Sequence, residues 1–363
     1  MAEDKTYPVI GLMSGTSGDG LDMAYCVFEK KKDWTFDITQ AQTVPFPLDL
    51  GDALRKSHQL SSEDLALLDV SFGEWMGNQV KAFCKAHKLA PLFIASHGHT
   101  VFHRPEKKLT KQIGNGYALW QAAGVPVIND FRSLDVVLGG QGAPLVPIGD
   151  KLLFGSYDYC LNLGGIANIS HSEGQSRIAY DVCPFNLLLN HYASRLGLAY
   201  DEDGLLAAEG EILPELLEHL EKLAYYRHRG AKSLGREDIE ETFLPLLEKT
   251  GFPVKNILAT LSDHFANRIA ETVLKTHSET GRPGQLLVTG GGAYNQHFIE
   301  KLSEKLAGKT RVVLPEKKII DFKEAMVFAF LGVLRTRGEN NCLASVTGAA
   351  SDNCGGTLYG FLK

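Results

Sequence analysis

The sequence predicts an α/β protein of two domains, and three observations carry that expectation. The chain has 363 residues, more than a single hydrophobic core usually organises. Apolar runs with strand character alternate with amphipathic helical stretches, an order that builds largely parallel sheets. Glycine-rich turns recur at residues 14–20, 164–165 and 290–292, each directly after an apolar run.

Composition is that of an ordinary globular chain, with 44% hydrophobic and 22% charged residues and 37 glycines. The net charge of −6 speaks against a nucleic-acid or anionic-membrane surface, while leaving room for a small anion at a local site. "MAEDKTYPVIG" has no apolar core of a signal peptide, and the strongest apolar run, residues 325–334, is too short to span a bilayer. Six cysteines at 26, 84, 160, 183, 342 and 354 form no C-x-x-C pair. Reduced thiols in a soluble cytoplasmic protein are expected, with no disulfide or zinc framework.

"YPVIGLM" and "LDMAYCVFE" read as two strands around the loop of "GLMSGTSGDGLD", and "WTFDITQAQTVPF" as a third. Strand–loop–strand order, without a terminal Gly-Lys-Ser/Thr, excludes a Walker A motif. Small residues from Ser14 to Gly20 let backbone N–H groups approach phosphate closely. Asp19 and Asp22 would repel bare polyphosphate, so a cation should accompany it. Asp19 also suits an Asp-Gly hairpin turn, and the residues alone leave both roles open.

From Ser61 to Lys88 apolar residues keep helical spacing, with Ser61 or Ser62 as N-cap. "APLFIASHGHT" reads as a buried strand delivering polar residues at its end, "GYALWQAAG" as a helix and "VPVIND" as a strand. "GGQGAPLVP" (139–147) reads as a crossing between lobes. "YDYCLNLGGIANIS" repeats the strand–turn–strand design. "RIAYDVCPFNLLLNHYASRLG" gives a strand ending near Asp181, a turn at Pro184 and a helix. Amphipathic helices follow near 211–226 and 257–277. "QLLVTGGGAYNQHFIEKLSEKL" is strand, glycine turn and helix from about Asn295. "DFKEAMVFAFLGVLRTRG" is a mostly buried helix, and the last 25 residues are expected to be loop-rich.

Two strand–turn–strand clips followed by strand–GGG–helix resemble the arrangement of actin-like sugar kinases and heat-shock ATPases. Eight ordered segments make the resemblance specific: "GLMSGTSGDGLD", "SHGHT", "NDFRSLDVVLGGQGAPLVP", "LNLGGIANI", "YDVCPFN", "KSLGRE", "LLVTGGGAYN" and "DFKEAMVFAF". They are similar to the anhydro-N-acetylmuramic acid kinase family of peptidoglycan recycling. The resemblance implies a two-lobed actin-like (ribonuclease H-like) fold with an interdomain nucleotide cleft. Lobe I would span 1–140 with 320–363, and lobe II 141–319. It also implies ATP and Mg²⁺, a small sugar substrate, a homodimer, and no nucleic-acid or membrane partner.

Residue by residue, the match assigns Asp181 as the catalytic base, a role the residues alone share evenly with helix N-capping. Gly15, Thr16, Ser17, Gly18, Asp19, Gly20, Leu21 and Asp22 match the first phosphate clip, with Asp19 or Asp22 facing Mg²⁺ through water. Gly164, Gly165 and Asn168 match the second clip, and Gly290, Gly291, Gly292 and Asn295 the adenosine turn. His97, Gly98, His99, Thr100, Arg132 and Glu324 match the sugar site, Arg132 suiting a lactyl carboxylate. Without the match, Arg132 could equally be a surface ion pair. His97, His99 and His103 are read as hydrogen-bonding groups in preference to metal ligands.

The chain departs from the family's D-x-G-P-G-N pattern at Cys183 and Phe185, where glycine is usual, and a changed turn is expected there. Gly18 and His99 also replace the commoner residues. A kinase for another anhydro or amino sugar, or an inactive nucleotide-binding regulator, are the alternatives.

Overall fold

A computed structural model gives the fold and describes residues 5–14, 20–227, 232–248, 251–276 and 282–361. Its strands are β1 (Lys5–Ser14), β2 (Gly20–Lys30), β3 (Trp34–Pro45), β4 (Ile94–Ser96), β5 (His99–Arg104), β6 (Leu109–Ile113), β7 (Val127–Asn129), β8 (Tyr159–Leu163), β9 (Ile166–Glu173), β10 (Ser176–Pro184), β11 (Gly284–Thr289), β12 (Thr310–Val313) and β13 (Thr357–Tyr359). The chain divides into two compact units, Met1–Phe154 with Phe322–Lys363, and Gly155–Asp321.

In the first unit the sheet order is β13-β7-β4-β1-β2-β3. β1, β2 and β3 form an antiparallel meander, while β4 joins β1, and β7 joins β4, in parallel. The helix Ser62–His87 covers this sheet. Ser61 caps it by accepting from the Asp64 N–H at 3.1 Å, which satisfies a donor that the first turn cannot. Its stripe of Leu68, Phe72, Met76, Val80 and Phe83 shares one core with Ile10, Leu12, Leu21 and Met23. The helix Lys317–Arg337 lies against β1 at Gly11, where a Cβ would stand 1.8 Å from the Ala325 carbonyl oxygen. Only glycine permits that approach, and it seats neighbouring Glu324 beside the strand.

The second unit repeats the plan. Its order is β10-β9-β8-β11-β12, with β8–β9–β10 antiparallel and β11 and β12 parallel to β8. Each unit therefore places its first five sheet strands in the order third, second, first, fourth, fifth. That is the ribonuclease H-like topology of actin-like folds, present twice in the chain. The two glycine hairpins, with little sequence in common, are topological equivalents. The helix Val254–Thr276 supplies Leu258, Leu261, Phe265 and Ile269 to a core shared with Leu161, Leu163, Leu286 and Val288.

Four local features differ from the sequence reading. The 139–147 segment stays within the first unit, and the chain passes to the second only after Phe154. The helix Pro147–Leu153 intervenes: Ile148 is buried, and Phe154 packs edge-on to Phe36 at 5.2 Å. Strand β10 does not stop at Asp181 but continues to Pro184 through a bulge between Asp181 and Cys183. A hairpin, β5–β6, starts at His99 within the "SHGHT" stretch, where no strand pair is evident in the sequence. The 211–226 segment is a helix only over Pro214–Glu221, followed by a 3₁₀ turn at Ala224–Arg227. No helix among the described residues is long and apolar enough to cross a membrane.

Candidate active site

Polar residues in the second unit collect where β10, β9, β8 and β11 run side by side. Asp181 stands opposite Asn168, Asn168 opposite Asn162, and Asn162 opposite Thr289. Directly opposed residues share a face of the sheet, so the register makes a polar row across otherwise apolar strands. The bulge after Asp181 kinks the strand at one end of that row, a common device for re-aiming a side chain.

Asp181 is held on three sides. Its Oδ2 accepts from the Leu234 N–H at 2.9 Å, and its backbone N–H donates to the Lys232 carbonyl at 3.0 Å. The Tyr225 hydroxyl donates to its carbonyl at 2.6 Å. Burial raises the carboxyl to about 6, against the Leu234 N–H and the Lys232 ammonium, which both lower it. The residue is thus ionised at neutral pH yet far more basic than an ordinary aspartate. It is not a helix cap. The following helix, Asn186–Ser194, begins after Phe185 and has no side-chain cap.

The two glycine turns of this unit converge on Asn162 and Leu163. A Cβ on Gly164 would lie 3.3 Å from the Asn162 amide nitrogen, and one on Gly290 2.7 Å from its amide oxygen. Asn186 donates to the Leu163 carbonyl at 3.3 Å, and the N–H groups of Phe185 and Asn186 donate to the carbonyls of Gly165 and Gly164. Phe185, substituting for a family glycine, has φ −139°, outside the left-handed region that favours glycine. Cys183 pairs with Ala167 within the ladder. The Phe185 ring is fully buried against Phe298 (4.7 Å) and Phe265 (5.8 Å). It also lies over Gly292, where a Cβ would come within 2.3 Å of Cε1. The ring fills the space beneath the third turn and needs glycine at 292. Asn295 caps the helix Gln296–Lys305 by accepting from the Phe298 N–H at 2.9 Å. Gly291 remains exposed.

In the first unit Arg132, His97, Asp22 and Glu324 form an electrostatic group. Arg132 donates through Nε (3.2 Å) and Nη2 (2.9 Å) to His97 Nε2, and through Nη1 to the Gly142 carbonyl at 2.6 Å. His97 must therefore carry its proton on Nδ1, which donates to the Gly98 carbonyl at 2.9 Å. Burial and the adjacent guanidinium keep that imidazole neutral. Burial lowers Arg132 to about 10, with Glu324 opposing it. Glu324 is raised by burial, lowered by Lys323 and Arg132, and raised again by Asp22. The surface-ion-pair reading of Arg132 is overturned, because its partners are an imidazole and a carbonyl inside the unit.

The other expected residues are placed as follows. Asp22 Oδ1 accepts from Thr43 Oγ1 at 2.5 Å. Leu21 is buried in the core, and Gly20 lies against β3, a Cβ there falling 2.8 Å from the Val44 carbonyl oxygen. His99 Nδ1 lies 3.3 Å from Ser14 Oγ, and burial lowers its proton affinity against a hydrogen bond with the Leu54 backbone. Thr100 accepts from Gln112 Nε2 at 3.2 Å, and Gly98 has φ +73°. His103 Nδ1 sits 3.1 Å from Thr110 Oγ1. Gly15, Thr16, Ser17, Gly18 and Asp19 lie outside the described residues. Among the described residues no group of three or more His, Cys, Asp or Glu side chains is arranged to hold a metal ion.

Sequence reading missed Asn162, whose signal was a polar residue inside the apolar run "YCLNL". It also missed Asp135 of "DFRSLD". Fully buried, its Oδ1 accepts from Thr347 Oγ1 and Asn353 Nδ2, both at 2.9 Å, and from Cys342 Sγ at 3.0 Å. Its Oδ2 accepts from the Gly142 N–H at 2.8 Å, which fixes the carbonyl that Arg132 uses. The loop-rich C-terminal stretch is thereby tied to the arginine's support.

Comparison with known proteins identifies the family. A family model described as anhydro-N-acetylmuramic acid kinase matches residues 7–360. The anhydro-N-acetylmuramic acid kinase of Legionella pneumophila (strain Paris) is 33% identical over 365 residues, covering 98% of each chain. That of Acinetobacter baylyi is 32% identical, covering 96% of this chain and 98% of the relative. Among solved structures, component A of the (R)-2-hydroxyglutaryl-CoA dehydratase of Acidaminococcus fermentans covers 89% of this chain and 96% of its own, at 12% identity and TM-score 0.45. With matches running over nearly its whole length, the chain belongs to the anhydro-N-acetylmuramic acid kinase family.

Proposed function

We propose that the protein is an ATP-dependent phosphotransferase that opens 1,6-anhydro-N-acetylmuramic acid with water and phosphorylates the freed 6-oxygen. The products are N-acetylmuramic acid 6-phosphate and ADP, a cytoplasmic step in cell-wall recycling. The observation that carries this reading is Asp181, a partly buried carboxylate raised to about 6 and aligned with Asn168 and Asn162 beside two glycine turns. Asp181 accepts a proton from water as the water oxygen bonds to the anomeric carbon. The bond from that carbon to the bridging oxygen breaks, and the oxygen, left on C6, takes the γ-phosphoryl group as ADP departs. A base near 6 is ionised at working pH and basic enough to assist that attack.

Gly164, Gly165, Asn168 and the turn Gly290, Gly291 and Gly292 would let the backbone approach the nucleotide closely. Asn295, engaged as a cap, would act by holding that turn's exit. Arg132, His97, Gly98, His99, Thr100 and Glu324 would take the sugar, the guanidinium facing its lactyl carboxylate. For Mg²⁺ the donor chemistry fits. Asp22 offers carboxylate oxygens, and its charge raises Glu324, a repulsion that a cation would relieve. Asp22, with Asp19 and the rest of the 15–22 loop, would hold the ion through water, and the ion would neutralise phosphate charge. A homodimer belongs to the same proposal, and light scattering tests it.

The test is ADP release from Mg²⁺-ATP with and without 1,6-anhydro-N-acetylmuramic acid, with mass detection of the sugar product. A phosphorylated sugar carrying one added water supports both halves of the reaction. Absence of sugar-dependent ADP release overturns it in favour of another sugar or a nucleotide-binding regulator.

A further inference from the structure

Segment 232–234 of "KSLGRE" grips Asp181 from outside its own strand. The Lys232 carbonyl accepts from the Asp181 N–H at 3.0 Å, and two residues on the Leu234 N–H donates to the Asp181 carboxylate at 2.9 Å. Between those contacts the Lys232 side chain turns onto aromatic rings. Its ammonium stands 4.2 Å from the centre of the Tyr225 ring and 5.6 Å from that of Tyr226, and donates to the Tyr225 carbonyl at 3.4 Å. Cation–π contact of this kind holds an ammonium in place without neutralising it. Tyr225 closes the loop, because its hydroxyl donates to the Asp181 carbonyl at 2.6 Å.

The rings are themselves fixed. The Tyr226 hydroxyl lies 2.9 Å from His264 Nε2, and His264 Nδ1 2.8 Å from Glu221 Oε1. Arg268 pairs with Glu221 and, at 2.8 Å, with Glu271. This partly buried network keeps the aromatic seat from swinging away.

We propose that Lys232, seated on Tyr225 and Tyr226, is a positioning residue that holds Asp181 aimed and ionised for its work as the base. The inference rests on the proposed role of Asp181 and extends it to the control of that carboxyl. Among the described residues the groups facing this pocket are few. Asp181 feels Lys232; Lys232 feels Cys183, Arg268, Asp181 and Glu271; Tyr225 feels Asp181, Cys183, Asp238 and Tyr180. Burial raises Cys183, Tyr225 and Tyr226, so all three stay neutral at physiological pH. Arg268 is engaged with its two glutamates, and among the described residues Lys232 is the positive charge acting on Asp181. Burial lowers Lys232, the direction expected of an ammonium drawn off solvent onto rings.

The experiment titrates Asp181 directly, by carboxyl ¹³C NMR of the full chain with labelled aspartate, using an Asp181→Asn spectrum to assign the signal. Lys232→Met keeps the aliphatic stem on the rings and removes the charge. Lys232→Arg keeps the charge. The Asp181 midpoint should rise by about one pH unit in Lys232→Met and stay near the parent value in Lys232→Arg. The acidic limb of kcat/KM should follow by the same amount, with KM for ATP unchanged. An Asp181 midpoint unmoved in Lys232→Met overturns the proposal, and Lys232→Gln repeats the measurement should the methionine variant not fold. A midpoint that moves while the kcat/KM limb stays put upholds control by Lys232 and overturns Asp181 as the base.

Discussion

Replacing Asp181 by asparagine separates the thermodynamic burden of the buried carboxyl from its proposed use as the base. Burial raises its carboxyl from an ordinary 3.8 to about 6, the Leu234 N–H and Lys232 pulling the other way. Between those values the folded chain keeps a proton that the unfolded chain has released. Stability therefore falls as pH rises through that window. Each unit is worth ~1.4 kcal/mol, so the ionised carboxylate costs the fold about 3 kcal/mol near pH 8. Near pH 5 the folded group is still mostly protonated, and the cost is roughly half as large. Asparagine carries no charge and keeps an oxygen that can accept from the Leu234 N–H. Relative to the parent, Asp181→Asn should gain about 1.4 kcal/mol more stability near pH 8 than near pH 5. Guanidinium unfolding of both proteins at the two pH values reads this difference. Sugar-dependent turnover should fall by about two orders of magnitude or more, with ADP binding kept. A stability difference independent of pH would refute the burial argument, and parental turnover would refute the role as base.

Four further outcomes rest on the same geometry. The pH profile of kcat/KM should fall on the acid side with a midpoint near the Asp181 value of about 6, because protonation removes the base; a profile flat down to about pH 5 would contradict it. Gly11→Ala puts a methyl 1.8 Å from the Ala325 carbonyl oxygen, so helix and strand must part. A loss of roughly 3 kcal/mol or more, read as a lower Tm, is expected together with weakened sugar binding through Glu324. Arg132→Lys cannot reproduce the three donors given to His97 and Gly142. It should raise KM for the sugar about tenfold or more while leaving KM for ATP in place. Phe185→Ala empties a fully buried site and should cost about 3–5 kcal/mol. Loss of its support beneath Gly292 should raise KM for ATP more than KM for the sugar.

The sequence by itself determined the longer elements and their kinds. Period-2 alternation in "LDMAYCVFE" and the 3.6-residue stripe from Leu65 to Phe83 are local properties, written in the order of side chains, and the structure places β2 and the helix Ser62–His87 accordingly. The ordered glycine motifs likewise made the family legible, since a positive φ at Gly290 and the close approach of Phe185 to Gly292 leave few alternatives to glycine. Register and long-range pairing are different. The alignment of Asp181 with Asn168 and Asn162 depends on how three strands slide past one another. The grip of Leu234 on Asp181 joins residues 53 apart in the chain, and that of Asp135 on Asn353 spans 218. Nothing local to Asp181 announces a proton affinity near 6, because that value comes from the desolvation that distant segments impose when the chain closes over it. Arg132 shows the same division: its type suited an anion, but its burial against His97 and the Gly142 carbonyl was decided only by tertiary packing.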